Sequence, residues 1–279
     1  MDARLQRRVQ RYGWDLAVDD YARHWHALLA GVQGELLAQA AAQPGEQVLD
    51  VACGTGVVSL AMAAAVGPGG SVLGVDLSAG MVASAVARAQ AEAVTQAQFA
   101  RMDAEALALP AASFDLVTCA LGLMYLPDVD AALHQVQRVL RPGGRAVFAV
   151  WGERARCGWA PLFGVVDAEV HSEVCPLFFG LGQGDALARH CAAAGLTVTR
   201  SHRRSDTLWH ADTDAACDAA FAGGPVALAW SRFDGATRAR VRERYLEAIA
   251  SWRVGASYRL PAEFVLVTAR RSDAAGSMS

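Results

Sequence analysis

Apolar side chains return at helical intervals along residues 16–43, through Leu28, Leu29, Val32, Leu36 and Leu37, and this predicts an amphipathic helix. The period then changes. Residues 48–52 form a short apolar run that ends in Cys53-Gly54-Thr55-Gly56 and opens into an Ala/Val/Leu helix reaching about Val66. This reads as strand, glycine turn, helix. Residues 71–76 predict a second strand, and Ser78 an N-cap for a helix to about Gln90. Residues 98–102 and 114–119 predict two more strands, and 129–140 a helix that Arg141-Pro142-Gly143-Gly144 stops before a fifth strand at 145–151. Residues 153–191 and 212–254 are helix-like, with weak strands at about 196–209 and 263–270.

Strands alternating with helices at this spacing predict an α/β fold, because parallel neighbours need a crossover helix between them. The last two strands are expected to complete the sheet edge. The later helices are expected to cap the C-terminal ends of the strands, where open α/β sheets bind ligands.

Composition narrows the chemistry. In 279 residues, hydrophobic types make up 53% and charged types 19%, which excludes a disordered, highly charged chain. The 25 Lys+Arg against 28 Asp+Glu give a net charge of −3 without blocks of like charge, so nucleic acid is not an expected partner. There is no lysine and no asparagine. Schiff-base, PLP, P-loop and protein-kinase chemistries each need a lysine and are excluded in their usual forms. The charged start, without the apolar segment of a signal peptide, and the lack of an apolar run near ~20 residues predict a soluble, cytoplasmic protein with no membrane span. Cysteines at 53, 119, 157, 175, 191 and 217 have no CxxC spacing, so no metal site is expected and free thiols are.

The glycine turn allows close backbone approach to a ligand. Asp76 ends the second strand 20 residues after Gly56, where a carboxylate can accept hydrogen bonds from ribose hydroxyls. That geometry serves NAD and S-adenosylmethionine alike. Dinucleotide sites use GxGxxG, and here the position three after Gly56 is Ser59. The acidic Asp50 before the turn repels a pyrophosphate and suits an ammonium or sulfonium.

VLDVACGTG (48–56), GVDLSAGM (74–81), MDAEALALP (102–110), SFDLVTCALGLMYLPD (113–128) and RVLRPGGRAVFAVWG (138–152) resemble the successive motifs of class I S-adenosylmethionine-dependent methyltransferases. The similarity is greatest to the small-molecule branch that holds the ubiquinone/menaquinone C-methyltransferases. The resemblance implies a Rossmann-like, seven-stranded, mostly parallel sheet with helices on both faces and a helical cap. It further implies an N-terminal helical lid (1–45), a cofactor-binding core (46–152), a helical insert (153–194), the end of the sheet with cap helices (195–271) and a flexible tail (272–279). By the same resemblance Ala52, Gly54 and Gly56 line the methionine part of the cofactor, with Asp50 supporting the turn and the ammonium. Asp76 holds the ribose, Leu77 and Met81 pack on the adenine, Asp103 and Ala104 meet its edge, and Cys119 and Ala120 place carbonyls near the ammonium. Ala52 departs from the glycine of many members. The segment 120–125 lacks the polar Arg-Asn pair of the quinone branch.

Methyl transfer from a sulfonium is an in-line displacement, so alignment and exclusion of water matter more than an elaborate catalytic set. Aromatic residues gather outside the motifs. Trp14, Tyr21, Trp25, Tyr125, Trp151 and Trp159 are expected to wall an apolar acceptor pocket, with Cys157 and Cys175 beside them on the insert. His26, Tyr125 and His171 are the candidate catalytic groups, and His24 and His26 cannot both face one pocket. His171 and Cys175, four apart, are open to two readings: buried thiols at 157 and 175 with a solvated histidine, or a thiolate activated by imidazole or soft-ligand site for a metalloid acceptor, in a register that Pro176 leaves unfixed. The implied partner is a small-molecule acceptor, and a monomer and a homodimer both remain open. Rival readings are a thiol or metalloid S-methyltransferase, a cofactor-binding protein without methyl transfer, and an NAD oxidoreductase.

Overall fold

The computed structural model describes residues 3–171 and 177–272. Cys175 and the tail at 273–279 lie outside them. Five parallel strands come first, β1 (Gln47–Val51), β2 (Ser71–Asp76), β3 (Ala97–Arg101), β4 (Phe114–Ala120) and β5 (Leu140–Trp151). They alternate with helices α2 (Val57–Val66), α3 (Ala79–Ala91) and α4 (Val129–Val139), preceded by the long α1 (Ala3–Ala40). After β5 follow α5 (Pro161–Val170), α6 (Ala186–Ala193), β6 (Leu196–His210), α7 (Thr213–Phe221), α8 (Ala227–Arg232), α9 (Gly235–Ala248), the two-residue β7 (Arg253–Val254) and β8 (Ser257–Arg271).

The sheet order is β3-β2-β1-β4-β5-β8-β6, with β7 paired to β8 off that path. Seven strands thus carry the sheet, and an eighth is a short hairpin arm. The order reverses between β1 and β4, and a crevice opens at their C-terminal ends, as in other open α/β sheets. The apolar inner strands are buried on both faces: Val48, Leu49, Leu116, Val147, Phe148 and Leu266 have no exposed surface.

The differences from the sequence reading have local causes. α1 begins at Ala3 rather than near residue 16, and extends over about 57 Å at 1.5 Å per residue. β5 begins at Leu140, so the Arg-Pro-Gly-Gly stretch is a bulged strand start, with Gly143 at φ 74° and Arg141 paired to Asp115 at 2.6 Å. β6 and β8 are each 15 residues long. β6 reads weakly because it is an edge strand with charged residues along it, and its Arg204 and His202 pair with Glu35 of α1. Pro261 is tolerated in β8 because β5 pairs only with residues from Phe264 onward, so the missing N–H costs no bond to β5. Asp212 and Asp234 cap α7 and α9, which with α1, α5 and α8 pack into one helical layer.

Candidate functional site

The turn after β1 is tight. Ala52, Gly54 and Gly56 all have positive φ, at 54°, 52° and 81°. A Cβ on Gly54 would meet nothing within 4 Å, so the turn opens onto free space there. A Cβ on Gly56 would sit 3.0 Å from Ala85 and 3.1 Å from Phe99, so this glycine serves the packing of α2 on its neighbours. Asp50 is buried beneath the turn and accepts hydrogen bonds from Ser59 Oγ at 2.6 Å and Thr118 Oγ1 at 2.8 Å. Burial pushes its carboxyl up to about 6; the two hydroxyls oppose the rise and the nearby Asp76 adds to it.

Asp76, at the end of β2, accepts the Gly54 and Ser78 backbone N–H groups, each at 2.9 Å. Each oxygen keeps a further lone pair for a ligand hydroxyl. Burial raises this carboxyl as well. Asp15 of α1 accepts from Ser78 Oγ at 2.6 Å and Gly80 N at 3.1 Å, which ties α1 to the start of α3.

Two spaces lie beside one another, and the turn lines the larger. The larger holds about 800 Å³ with its mouth included, and Ala52, Gly54, Asp76, Leu77, Met81, Asp103, Ala104 and Ala120 line it. The smaller has Trp25, Trp151, Trp159 and the Gly223-Gly224-Pro225 loop on its wall. Trp14, Tyr21, Leu121 and Tyr125 line both, so the two spaces adjoin across these four side chains. The rings of the smaller chamber pack edge to face: Trp25 lies 5.6 Å from Trp159, and Trp14 lies 5.1 Å from Tyr125. Trp25 Nε1 donates to Ala219 O at 2.9 Å, whereas Trp159 Nε1 is buried without a partner among the described groups.

Several expected site residues lie elsewhere. Asp50, Gly56 and Cys119 support the cavity from behind and do not line it. Cys157 is buried off both spaces with its Sγ on Glu263 O at 3.7 Å, and burial pushes its thiol up to about 11. α5 ends at Val170 and His171 turns left-handed at φ 52°, exposed, while Cys175, the other member of the expected pair, lies outside the described residues. His26 lies in a separate open cleft, its Nε2 2.7 Å from Thr55 Oγ1, where burial, with help from Arg88, lowers its pKa. His24 is 3.9 Å from Asp20 and lines neither space.

Sequence reading missed Arg7, Gln10, Glu105, Gly122 and the Gly223-Gly224-Pro225 loop. Arg7 reaches from the first turns of α1 to Glu105, with Nε at 2.9 Å, and to Asp103 at 3.4 Å. It is the one cationic residue on the lining among the described residues, beside the carboxylates of Asp76, Asp103 and Glu105. No three His, Cys, Asp or Glu side chains gather as a metal site among the described residues.

Comparison with known proteins fits this geometry. The model of a methyltransferase domain matches residues 48–144, which run from β1 into the start of β5. The ubiquinone/menaquinone biosynthesis C-methyltransferase of Burkholderia vietnamiensis is 34% identical over 196 residues, covering 69% of this chain and 77% of the relative. The chain belongs to the class I S-adenosylmethionine-dependent methyltransferases, in the branch of these C-methyltransferases. An uncharacterised protein of Mycobacterium tuberculosis is 36% identical over 138 residues, 48% of each chain. The chain therefore spans about half the length of several relatives that it matches. Among solved structures, the YcgJ protein of Bacillus subtilis has the same fold, with a TM-score of 0.61 at 19% identity, over 88% of this chain and 100% of that one. The [4+2]-cyclase SpnF shares it too, with a TM-score of 0.56 at 18% identity, over 88% of this chain and 81% of that one. This family's fold therefore does not by itself fix the reaction. No described helix is long and apolar enough to cross a membrane.

The residues present fit the family's cofactor. The open side of Gly54, the carboxylate of Asp76 and the apolar pair Leu77 and Met81 suit, in that order, a polar chain, a ribose and a flat heterocycle. The excess of carboxylates over cations suits a ligand with a positive end.

Proposed function

We propose that this protein transfers a methyl group from S-adenosylmethionine to a small, apolar, electron-rich acceptor held in the aromatic chamber. The adjacency of the two spaces, which share Trp14, Tyr21, Leu121 and Tyr125 as wall residues, carries this reading. Bound in the larger space, the cofactor supplies an electrophilic methyl on a sulfonium. The residues proposed to hold it are Ala52, Gly54, Asp76, Leu77, Met81, Asp103, Ala104 and Ala120, with Asp50, Gly56 and Cys119 supporting them from behind. α1 is proposed as the lid, fixed by Arg7 over the adenine end and by Asp15 on α3.

The chamber would hold the acceptor in line with the methyl the bound cofactor would supply, and an acceptor that ionises would give its proton to bulk water before it enters the chamber. The chamber helps chiefly by alignment and dryness. Tyr21 and Tyr125 are its titratable wall residues among the described ones. Burial, with the charge of Asp76, holds the Tyr21 hydroxyl well above the usual phenol range, so it stays protonated and does not serve as a base. An acceptor already ionised or electron-rich at neutral pH fits such a wall. The orphan Trp159 Nε1 fits an acceptor that carries a hydrogen-bond-accepting oxygen. The burial of Cys157 away from both spaces speaks against thiol chemistry by that residue.

The test is transfer of labelled methyl from S-adenosylmethionine to a panel of phenols, quinols, thiols and amines, run with wild type and with Trp159→Phe. The expected result is label in an oxygen-bearing aromatic, with KM raised about fivefold or more in the variant and its melting point little changed, since the orphan N–H costs stability where it stands. A melting point lowered by many degrees with KM unchanged would make Trp159 a packing residue alone. No transfer to any class, in protein shown to bind the cofactor, would overturn the reading in favour of another reaction on this fold.

A further inference from the structure

The first four turns of α1 have two faces. Arg7, Gln10, Trp14 and Tyr21 line the cavity from one side. On the opposite side Leu5, Tyr12 and Leu16 are 42%, 48% and 56% exposed. With the partly buried Val9, they recur at the 4-3-4 spacing of a single helical stripe. Arg4, Arg8 and Arg11 form a second stripe directly beside it, and Arg11 lies over the Tyr12 ring at 4.5 Å. Residues 3–14 hold four arginines and no acidic residue, in a chain whose net charge is −3. Leu5, Arg8, Val9 and Tyr12 also wall a groove that Leu228 and Arg232 of α8 close on its far side.

We infer that this face docks on an anionic bilayer surface, with α1 lying in the plane of the interface. The apolar stripe would enter the headgroup region and the arginines would meet lipid phosphates, the arrangement of interfacial amphipathic helices. Charge selects this occupant. A basic face on an acidic protein is drawn to negative surfaces and gains no such attraction to neutral ones. A second copy fits poorly. The stripe from residue 5 to 16 is only about 17 Å long, too small a strip for the ~800 Å² per partner of a stable interface, and a two-fold contact would set arginine against arginine. The cavity lies beneath the same helix, so an acceptor dissolved in the bilayer would find the chamber next to the docked surface. The inference does not rest on methyl transfer, because binding to lipid is read without turnover.

The experiment is flotation of the purified full chain with vesicles of phosphatidylcholine alone and of equimolar phosphatidylcholine and phosphatidylglycerol, at low and high salt. Partition onto the mixed vesicles, weak on phosphatidylcholine and falling as salt rises, is expected. Arg8→Gln with Arg11→Gln should weaken partition about 30-fold at low salt, about 1 kcal/mol for each arginine, and make little difference at high salt. Leu16→Ser with Tyr12→Ser should weaken it at both salt concentrations. These side chains are exposed, so the melting point and cofactor binding should stay unchanged, and light scattering reports the oligomeric state in the same samples. Failure to float with either vesicle, equal flotation with both, or a dimer that Leu16→Ser dissolves would overturn the proposal.

Discussion

Asp50 offers the sharpest test of the electrostatics beneath the turn. Its carboxyl is raised from 3.8 to about 6, chiefly by burial. A carboxyl whose folded pKa lies above its unfolded one costs nothing below the lower value. The cost grows as pH rises through the upper value and is complete above it. The rise corresponds to about 3 kcal/mol of stability forgone at pH 8. Asp50→Asn removes the charge and keeps the shape. Ser59 and Thr118 each donate to the carboxylate, so one hydroxyl must turn round to accept from the new amide. The variant should exceed wild type by about 1 kcal/mol near pH 4.5 and by about 3 kcal/mol at pH 8, the latter about 6 °C in melting temperature for a chain of this size. Binding should move the other way. A cationic ligand above the turn favours the charged form, so S-adenosylmethionine should bind wild type more weakly as pH falls below about 6, and should bind the variant with a flatter pH profile and lower affinity at pH 8. Thermal unfolding from pH 4.5 to 8, with and without the cofactor, reads both effects. Parallel melting curves across that range, or a variant less stable at pH 8, would refute the account of a buried charge kept for binding.

Two further predictions concern how the cavity is closed. Arg7→Met should speed cofactor release several-fold and destabilise by about 1 to 3 kcal/mol, because the Glu105 side chain it pairs with is only 4% exposed and keeps a single backbone donor, whereas its pair to Asp103 is partly exposed and screened. Stopped-flow dissociation at two salt concentrations checks this, and the difference between wild type and variant should shrink at the higher one. Gly122→Ala should destabilise by about 1 to 3 kcal/mol, since a Cβ there would stand 2.4 Å from that of Ala52 and 2.9 Å from Cys119 Sγ. Ala52→Gly in the same chain should return part of the loss in chemical denaturation, because it removes one clash and relieves a left-handed alanine at φ 54°.

The parts of the site that were legible in the sequence are those held by short spans of chain. The turn, Asp76 and the pair Leu77 and Met81 follow strands whose apolar runs and glycines have only one economical arrangement. Their positions come from β1, β2 and α3, which are contiguous and close in sequence. What stayed hidden depends on distant partners. Arg7 meets Glu105 across 98 residues, and nothing in the pattern of residues 3–14 distinguishes an arginine that closes a cavity from one that faces water. The Gly223-Gly224-Pro225 loop carried a signal, since glycine and proline punctuate an otherwise helix-like stretch. Gly223 is needed there because a Cβ would lie 2.9 Å from the Asp20 carbonyl and 3.1 Å from Trp25. The pairing of His171 with Cys175 falls outside the described residues at Cys175, and what is described is that α5 ends at Val170 with His171 in the αL conformation.

α1 shows most clearly why the two kinds of information differ. An amphipathic pattern is a record of one buried face, and the predicted helix at residues 16–43 was found from Leu28, Leu29, Val32, Leu36 and Leu37, which pack on the sheet and its neighbours. Toward its N-terminus the same helix leaves the sheet and changes what it covers. Its inner side meets the larger cavity through the polar side chains of Arg7 and Gln10, and its outer side holds Leu5, Tyr12 and Leu16 in the open. Polar residues inside and apolar residues outside invert the usual pattern, so periodicity alone placed the start of the helix 13 residues late. A segment that inverts the rule of burial within a regular helix has its composition set by what it binds on each side. The cavity beneath it explains Arg7 and Gln10, and an external apolar and anionic surface accounts for the stripe of Leu5, Val9, Tyr12 and Leu16 and for the arginines beside it.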